Sequence, residues 1–325
     1  MTLTPQTAKE LVSRQLEEDH WECTPFGSGQ FSETFEVRSS SSGPYVLRVA
    51  PPDDVRQLFY EYRMMRQEPK IHERLQRETD VPVPDITAYD FSREYIDRDY
   101  IIMPRLPGVP LSEARLEPAG IERVLREWGS YVAQIHRVTD PHNRFGYLGE
   151  HHCMQPCATW KEAFATMFRK ELDDIVATGI YDEETAERVM TCLHENLSVF
   201  DDHCATSRLL HGDLWVTNVL VTPEGEVTAV LDFDRACWGD VEWDLAIAEY
   251  CGVTKPAFWE GYGKQIEMHE GAAGVRRFFY LLYEHQKYIV IAMSSRRNDP
   301  RGARRYADQS LAAVENFRRT GEPTF

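Results

Sequence analysis

Long apolar segments are missing from this chain of 325 residues. No apolar run approaches the length that a membrane span needs, and Met1–Asp19 lacks the hydrophobic core of a signal peptide. The seven cysteines are an odd number and follow no spacing typical of a disulfide framework. We therefore expect a soluble protein of the reducing cytoplasm that has no membrane as a partner.

Basic residues are also scarce, because 36 Lys and Arg face 53 Asp and Glu and give a formal net charge of −17 at pH 7. Nucleic acid is excluded as the main partner, since phosphate binding needs basic patches. A cationic small molecule would be attracted to such a chain, although acidic surfaces also serve solubility alone. The 42% of hydrophobic residues and the absence of long low-complexity tracts predict a sizeable core divided between two lobes.

Three polar residues, Asp213, Asn218 and Asp232, stand at the borders of strand-like apolar runs. Asp213 follows a His-Gly break, and Asn218 opens a β-branched run at 219–221. A Pro-Glu-Gly-Glu turn then leads to a second run at 227–231, which ends at Asp232. Because a short hairpin brings its two ends together, we expect the three side chains to face one small volume.

An amide oxygen and a carboxylate suit a hard cation such as Mg²⁺, which takes its remaining ligands from water and phosphate. Asn218 and Asp232 are therefore the predicted metal ligands, and Asp213 is free to orient a hydroxyl and accept its proton. An Asp, an Asn five positions later and a further Asp after a hairpin form the layout of phosphoryl transfer in kinases. The combined spacing is much more specific than His-x-Asp alone.

The segment HGDLWVTN, residues 211–218, resembles the catalytic motif of the aminoglycoside phosphotransferase family, whose relatives include hygromycin phosphotransferases, fructosamine kinases and choline kinases. It is similar to the HGDLW form of fructosamine kinases, whereas the strand Tyr45–Val49 resembles that of hygromycin phosphotransferases. The likeness extends from about Phe26 to Asp244. The two resemblances disagree on the substrate.

This resemblance implies an α+β, bilobal, protein-kinase-like fold. Residues 1–103 would form a nucleotide-binding N-lobe of antiparallel sheet plus helix, residues 104–108 a hinge, and residues 109–325 a mainly helical C-lobe that holds the catalytic hairpin. Asp240 and Asp244 are similar to family positions that brace the catalytic loop through hydrogen bonds.

For the phosphates, kinases use a Lys on the third strand that pairs with a helix Glu. Here that strand offers Arg48, which serves as a phosphate clamp or is an edge-strand arginine in solvent. Its partner would be Glu68 or Glu61, which lie seven apart on one face of a continuous helix. Pro69 complicates such a helix, and the resemblance favours Glu68.

The run Phe26–Val37 alternates like a strand-turn-strand hairpin that contains glycine. In this family it would cover the nucleotide, with backbone amides and Ser32 near the phosphates; the alternative is a hairpin without a ligand. In the hinge, the Pro104 carbonyl and the Leu106 amide would bond the adenine edge. The alternative is that residues 104–108 are a plain interdomain linker.

Two further residues are candidates for the acceptor pocket. Trp215 follows the catalytic Asp213 and would form an apolar wall, or would be core filler. Glu284, on a strongly apolar helix, would bind a substrate ammonium, or would face solvent.

The sequence therefore predicts an ATP- or GTP-dependent enzyme that phosphorylates a hydroxyl of a small polar molecule and uses Mg²⁺. The favoured acceptor is an aminoglycoside-type antibiotic, which would make the protein a resistance enzyme. A fructosamine or another metabolite is the alternative, and a catalytically inactive nucleotide-binding pseudokinase is an alternative of another class. The oligomeric state is not predicted.

Overall fold

The computed structural model describes residues 3–17, 20–27, 31–294 and 297–325. Within those ranges no helix combines the length and the apolar character that crossing a membrane requires. The turn residues 28–30 of the predicted glycine-containing hairpin lie outside the described residues.

The first part of the chain forms an antiparallel sheet with the strand order β1-β2-β3-β5-β4. Its strands are β1 (Glu22–Pro25), β2 (Glu33–Arg38), β3 (Tyr45–Val49), β4 (Ala88–Asp90) and β5 (Tyr100–Pro104). Helix α1 (Pro5–Gln15) buries Ala8, Leu11 and Val12 in the same apolar cluster as alternate residues of the sheet, as its 3.6-residue periodicity requires.

Helix α2 (Glu68–Glu78) begins after a 3₁₀ turn at Met64–Gln67. The prediction of one continuous helix carrying both Glu61 and Glu68 is wrong, because the α-helix starts at Glu68 itself. Pro69 lies in its first turn, where the missing N–H has no intrahelical partner to lose. Proline therefore sets the start of the helix.

The remaining strands belong to two small sheets, with the orders β6-β8-β9 and β10-β7. They are β6 (Val109–Pro110), β7 (Arg208–Leu210), β8 (Val219–Val221), β9 (Val227–Val230) and β10 (Cys237–Gly239). Around them lie α3 (Pro118–Ile135), α4 (Trp160–Ala177), α5 (Glu183–Asn196), α6 (Val241–Tyr250), α7 (Pro256–Tyr262), α8 (Gly271–Met293) and α9 (Pro300–Thr320). The predicted α+β class, with an antiparallel sheet followed by a mainly helical part, is confirmed.

Two apolar clusters hold between them the catalytic segment, which comprises residues 209–244 with the predicted site residues Asp213, Asn218 and Asp232. One packs α3, α6 and α7 against the β8–β9 hairpin, with Trp128, Phe233 and Phe258 fully buried. The other joins α4, α5, α8 and α9. It also includes Leu58 and Tyr60 from residues 51–63, which connect β3 to the turn before α2 and are called the strap below. The strap thus carries side chains from the sheet side into the helical core.

Candidate active site

The predicted catalytic loop, residues 211–218, follows β7 and turns sharply at Gly212. This residue has φ +78°, and an added Cβ would lie 2.4 Å from the carbonyl oxygen of Arg235, so only glycine fits. The Asp244 carboxylate accepts hydrogen bonds from the amides of His211 (2.6 Å) and Gly212 (2.8 Å). His136 Nε2 lies 3.1 Å from the same carboxylate. Asp244 therefore braces the loop, as its resemblance implied.

Asp240 does not brace that loop. Its carboxylate caps α6 by accepting from the Glu242 amide and also accepts from the Tyr280 hydroxyl at 2.6 Å. It is an N-cap residue, and spacing alone could not separate it from Asp244, because both are buried aspartates near the start of α6.

The Asp213 side chain is held from two sides. The Asn218 amide nitrogen donates to the Asp213 backbone carbonyl (3.0 Å) and to its Oδ2 (2.9 Å), and Arg235 Nη1 donates to Oδ1 (3.2 Å). Burial acts to raise the pKa of Asp213, but the charges of Arg235 and Lys287 outweigh it and keep that pKa below its ordinary value. Asp213 is therefore a fixed, ionised carboxylate at neutral pH.

The hairpin brings Asp232 to within one residue of the partner of Asn218, because the Leu231 amide donates to the Asn218 carbonyl at 2.8 Å. Asp232 then leaves β9 with φ 69°, a left-handed conformation that turns its half-exposed side chain out of the strand direction. The Asn218 amide nitrogen gives both of its hydrogen bonds to Asp213, and within the described ranges no protein donor bonds the Asn218 amide oxygen.

Arg48 reaches from the sheet to this hairpin. Its Nη1 donates to both carboxylate oxygens of Glu68 (2.9 Å each), and its Nη2 donates to Asp232 (2.9 Å) and Asp234 (3.3 Å). The alternative partner, Glu61, instead accepts from the Leu58 amide inside the strap. Of the two glutamates that the sequence left open, Glu68 is the one that pairs with Arg48.

Carboxylates outnumber cationic groups around Arg48. Glu68, Asp232 and Asp234 place carboxylate oxygens within 4.8 Å of one another around the single guanidinium of Arg48. Burial raises the pKa of Glu68 to about 7, and burial together with the Asp232 charge raises the pKa of Asp234 well above its ordinary value. Carboxylate oxygens in excess of the nearby positive charge, with the Asn218 amide oxygen, are a donor set that fits Mg²⁺.

The other residues predicted to bind the nucleotide, Ser32, Pro104 and Leu106, lie outside the cluster around Arg48. Ser32 is buried and lines a small cavity together with Asp234. Pro104 ends β5 opposite Tyr45, and the Thr228 hydroxyl fixes the following stretch by donating to the Pro107 carbonyl at 2.6 Å. Within the described ranges the Leu106 amide donates to no protein acceptor, so it is available to a ligand.

The two acceptor-side candidates differ in burial. Trp215 is 38% exposed, and its amide donates to the Asp213 carbonyl at 3.0 Å. Glu284 is buried and accepts hydrogen bonds from Arg235 Nη2 (3.3 Å) and Lys287 Nζ (2.5 Å). The two cations oppose its charge, and Glu284 does not face solvent.

Three residues of the site were missing from the sequence predictions. Asp234 could have been found, because two carboxylates separated by one residue after a strand often share a cation. Lys287 lies three residues after Glu284 on α8, so its pairing with Glu284 is local and could have been anticipated from the sequence. Arg235 gave no such signal, since it meets Asp213 and Glu284 from a different element. Long-range contacts of this kind require the fold.

Comparisons with known proteins show the family and the fold of this chain. Residues 22–277 match the model of the phosphotransferase enzyme family. A probable ketoamine kinase of Vibrio cholerae serotype O1 is 31% identical over 206 residues, which are 58% of this chain and 62% of that protein. A probable ketoamine kinase of Vibrio parahaemolyticus serotype O3:K6 is 40% identical over 195 residues, 57% of this chain and 60% of that protein. The matched stretch thus spans less than two thirds of these relatives.

Solved structures share the fold at low identity. A thermostable mutant of the aminoglycoside phosphotransferase APH(4)-Ia, in a ternary complex with AMP-PNP and hygromycin B, has a TM-score of 0.63 at 18% identity and covers 94% of this chain and 98% of its own. The gentamicin complex of APH(2″)-IIa has a TM-score of 0.64 at 16% identity, with coverage of 96% and 97%. The predicted family is confirmed: since the matched residues include both the strand of Arg48 and the loop of Asp213, the chain belongs to the phosphotransferase enzyme family.

Proposed function

We propose that this protein is a kinase that transfers the γ-phosphoryl group of ATP or GTP to a hydroxyl of a small polar molecule. The observation that carries the proposal is the Asp213 carboxylate, kept ionised and held by Asn218 and Arg235 beside a hairpin that presents Asp232. Groups in this order along a kinase-like fold serve phosphoryl transfer.

Asp213 would orient the acceptor hydroxyl and take its proton as the oxygen attacks. The bond from the acceptor oxygen to the γ-phosphorus forms while the bond to the β–γ bridging oxygen breaks, and ADP or GDP leaves with the electron pair. The chain contributes mainly alignment, because the hydroxyl must lie in line with the leaving oxygen. The doubly held Asp213 side chain is suited to that task.

Asn218 and Asp232 would hold Mg²⁺, with Asp234 close enough to share in its binding. Such an ion supplies charge neutralisation at the β- and γ-phosphate oxygens when it is bound. On the protein side, the pairing of Arg48 with Glu68 keeps a guanidinium pointed at the same place, so Arg48 would serve as the phosphate clamp in the position of the usual Lys.

The nucleotide would lie between the lobes that we propose at 1–103 and 109–325, against the hinge at 104–108. The free Leu106 amide supports an adenine contact there, together with the Pro104 carbonyl. Ser32 would approach the phosphates from the sheet side.

For the acceptor, Trp215 is a candidate wall because its exposed ring adjoins Asp213. Glu284 would act on the acceptor through its two cation partners, Arg235 and Lys287. The sequence favoured an aminoglycoside, but the relatives with the higher identities are named probable ketoamine kinases, which favours the fructosamine alternative. All seven cysteines are free thiols, which supports the cytoplasm as the place of action.

Release of ADP and GDP across a panel of hygromycin B, gentamicin, fructosamines and amino alcohols tests this function. Saturable turnover on one acceptor class is expected and would identify it. Nucleotide binding without phosphorylation of any acceptor would instead favour the pseudokinase alternative. Mass spectrometry of the acceptor, which gains one phosphate on turnover, separates transfer from hydrolysis.

A further inference from the structure

The strap joins the two halves of the site. It begins after β3, which carries Arg48, and it ends at the turn before α2, which opens with Glu68. Between these ends Leu58 and Tyr60 are almost fully buried in the cluster of α4 and α8, and the Phe59 amide donates to Asp174 of α4 at 2.7 Å. The middle of the strap is therefore anchored on the helical side of the cleft.

Tyr60 contacts the residue that holds Asp213. Its hydroxyl accepts a hydrogen bond from Arg235 Nη2 at 3.2 Å, and its ring lies 5.2 Å from the Arg235 guanidinium carbon. On its other side the ring stacks on Tyr147, with centroids 5.1 Å apart and an interplanar angle of 17°. Packing thus fixes the Tyr60 ring, and the fixed ring places the guanidinium.

Arg235 has few other restraints. In the described part of the chain its side chain bonds only Asp213, Tyr60 and Glu284, and its buried Nε has no partner. Nη1 bonds Asp213, whereas Nη2 divides its two donor hydrogens between Glu284 and Tyr60. Tyr60 adds a third direction, and a planar fork held at three points cannot swing in its plane.

We propose that Tyr60 is a positioning residue of the site, which acts through Arg235 to hold the Asp213 carboxylate toward the acceptor hydroxyl. The proposal rests on the kinase function above. It also gives the strap a role, because one short segment then connects the phosphate clamp of Arg48 and Glu68 to the proton acceptor.

The test is a double-mutant cycle of Tyr60→Phe and Arg235→Lys, read as the single-turnover rate of transfer to the acceptor found in the panel. Tyr60→Phe keeps the ring and removes the hydrogen bond to a charged group, so we expect a rate loss on the order of tenfold. Nucleotide Kd should stay within about twofold, because Arg48 and Glu68 are untouched. With Arg235→Lys the guanidinium fork is absent, and adding Tyr60→Phe should change the rate by less than about twofold.

Tyr62→Phe is the matched control, since Tyr62 is on the same strap but is 40% exposed. Among the described residues, its hydroxyl bonds only Asp53, at 2.8 Å. It should transfer at the wild-type rate. All rates are normalised to bound fluorescent nucleotide, so a loss of folded protein does not count as a loss of rate. A Tyr60→Phe rate equal to wild type, or effects of the two changes that multiply fully, would overturn the proposal.

Failure of the kinase function has a different signature. In that case the wild type itself neither phosphorylates an acceptor nor hydrolyses ATP with water as the acceptor. An active wild type with an insensitive Tyr60 rejects the positioning role alone.

Discussion

Glu171 of α4 should make the stability of this protein fall with rising pH. Its side chain is fully buried, and neither carboxylate oxygen has a hydrogen-bond partner in the described ranges. Burial raises its pKa well above the ordinary 4.5, and the neighbouring Glu284 charge raises it further, while Lys287 opposes the shift. The folded protein therefore keeps a proton that the unfolded chain has already released.

The sign and size follow from linkage. Between pH 4.5 and the raised pKa, the folded state binds one more proton than the unfolded state, so the free energy of unfolding decreases as pH rises. One such proton changes it by about 1.4 kcal/mol per pH unit. Glu171→Gln removes the titration and keeps the shape. The free energy of unfolding of the variant should therefore rise relative to that of the wild type, by up to about 1.4 kcal/mol for each pH unit.

Urea unfolding of both proteins at several pH values between about 5 and 7 measures that difference directly. Glu162→Gln, an exposed glutamate on the same helix, is the control, and it should change stability by less than about 0.5 kcal/mol at each pH. A difference between Glu171→Gln and wild type that stays constant over this range would refute the reasoning, because Glu171 would then ionise in the folded state as it does in the unfolded chain.

Three further outcomes are expected. Arg48→Lys keeps the charge but loses the fork, so nucleotide Kd in a fluorescence titration should rise roughly tenfold, and an unchanged Kd would contradict the clamp. Asp244→Asn replaces one of two accepting oxygens under the catalytic loop, which should lower the free energy of unfolding by about 1–3 kcal/mol; an unchanged denaturation midpoint would count against the brace. His203 Nε2 forms ion pairs with Asp240 (2.9 Å) and Glu242 (3.3 Å), and these carboxylates raise its pKa from 6.5 to about 9, so its stabilisation is full below pH 6.5 and is lost as pH rises through about 9. Thermal melting of wild type and His203→Gln should therefore converge at high pH, and a gap that does not narrow would contradict the pairing.

The sequence predicted the parts of the site that depend on local structure. The hairpin from Asn218 to Asp232 follows from two β-branched runs and a turn, and its closure requires only that they pair. Asp213 precedes it by a fixed spacing. The nucleotide side was predicted through a family resemblance, which located the Arg48 strand but left two glutamates as its partner.

Contacts between distant elements were not predictable in this way. Glu61 and Glu68 are seven residues apart and would share one face of an ideal helix, so the spacing does not show which of them pairs with Arg48. The start of α2 at Glu68, which leaves Glu61 outside the helix, distinguishes the two. Arg235 contacts Tyr60 across 175 positions and Glu284 across 49. Neither contact leaves a periodic or compositional signal, because each depends on how the strap and α8 pack on the catalytic segment.

Glu284 illustrates the same limit. Its register suggested a group for a substrate ammonium, whereas the fold surrounds it with Arg235 and Lys287. Lys287 lies three residues after Glu284 on the same helix, but Arg235 comes from another element, and its approach cannot be estimated from the helix sequence.

The single-turnover rate of phosphoryl transfer by Asp213→Asn tests the central claim most directly. The substitution removes the proton acceptor while an amide of similar shape remains beside Asn218 and Arg235. We expect the transfer rate to fall by about 10²-fold or more, the scale of a positioned general base, with nucleotide Kd near the wild-type value. Transfer at the wild-type rate would contradict the assignment of Asp213 and the mechanism built on it.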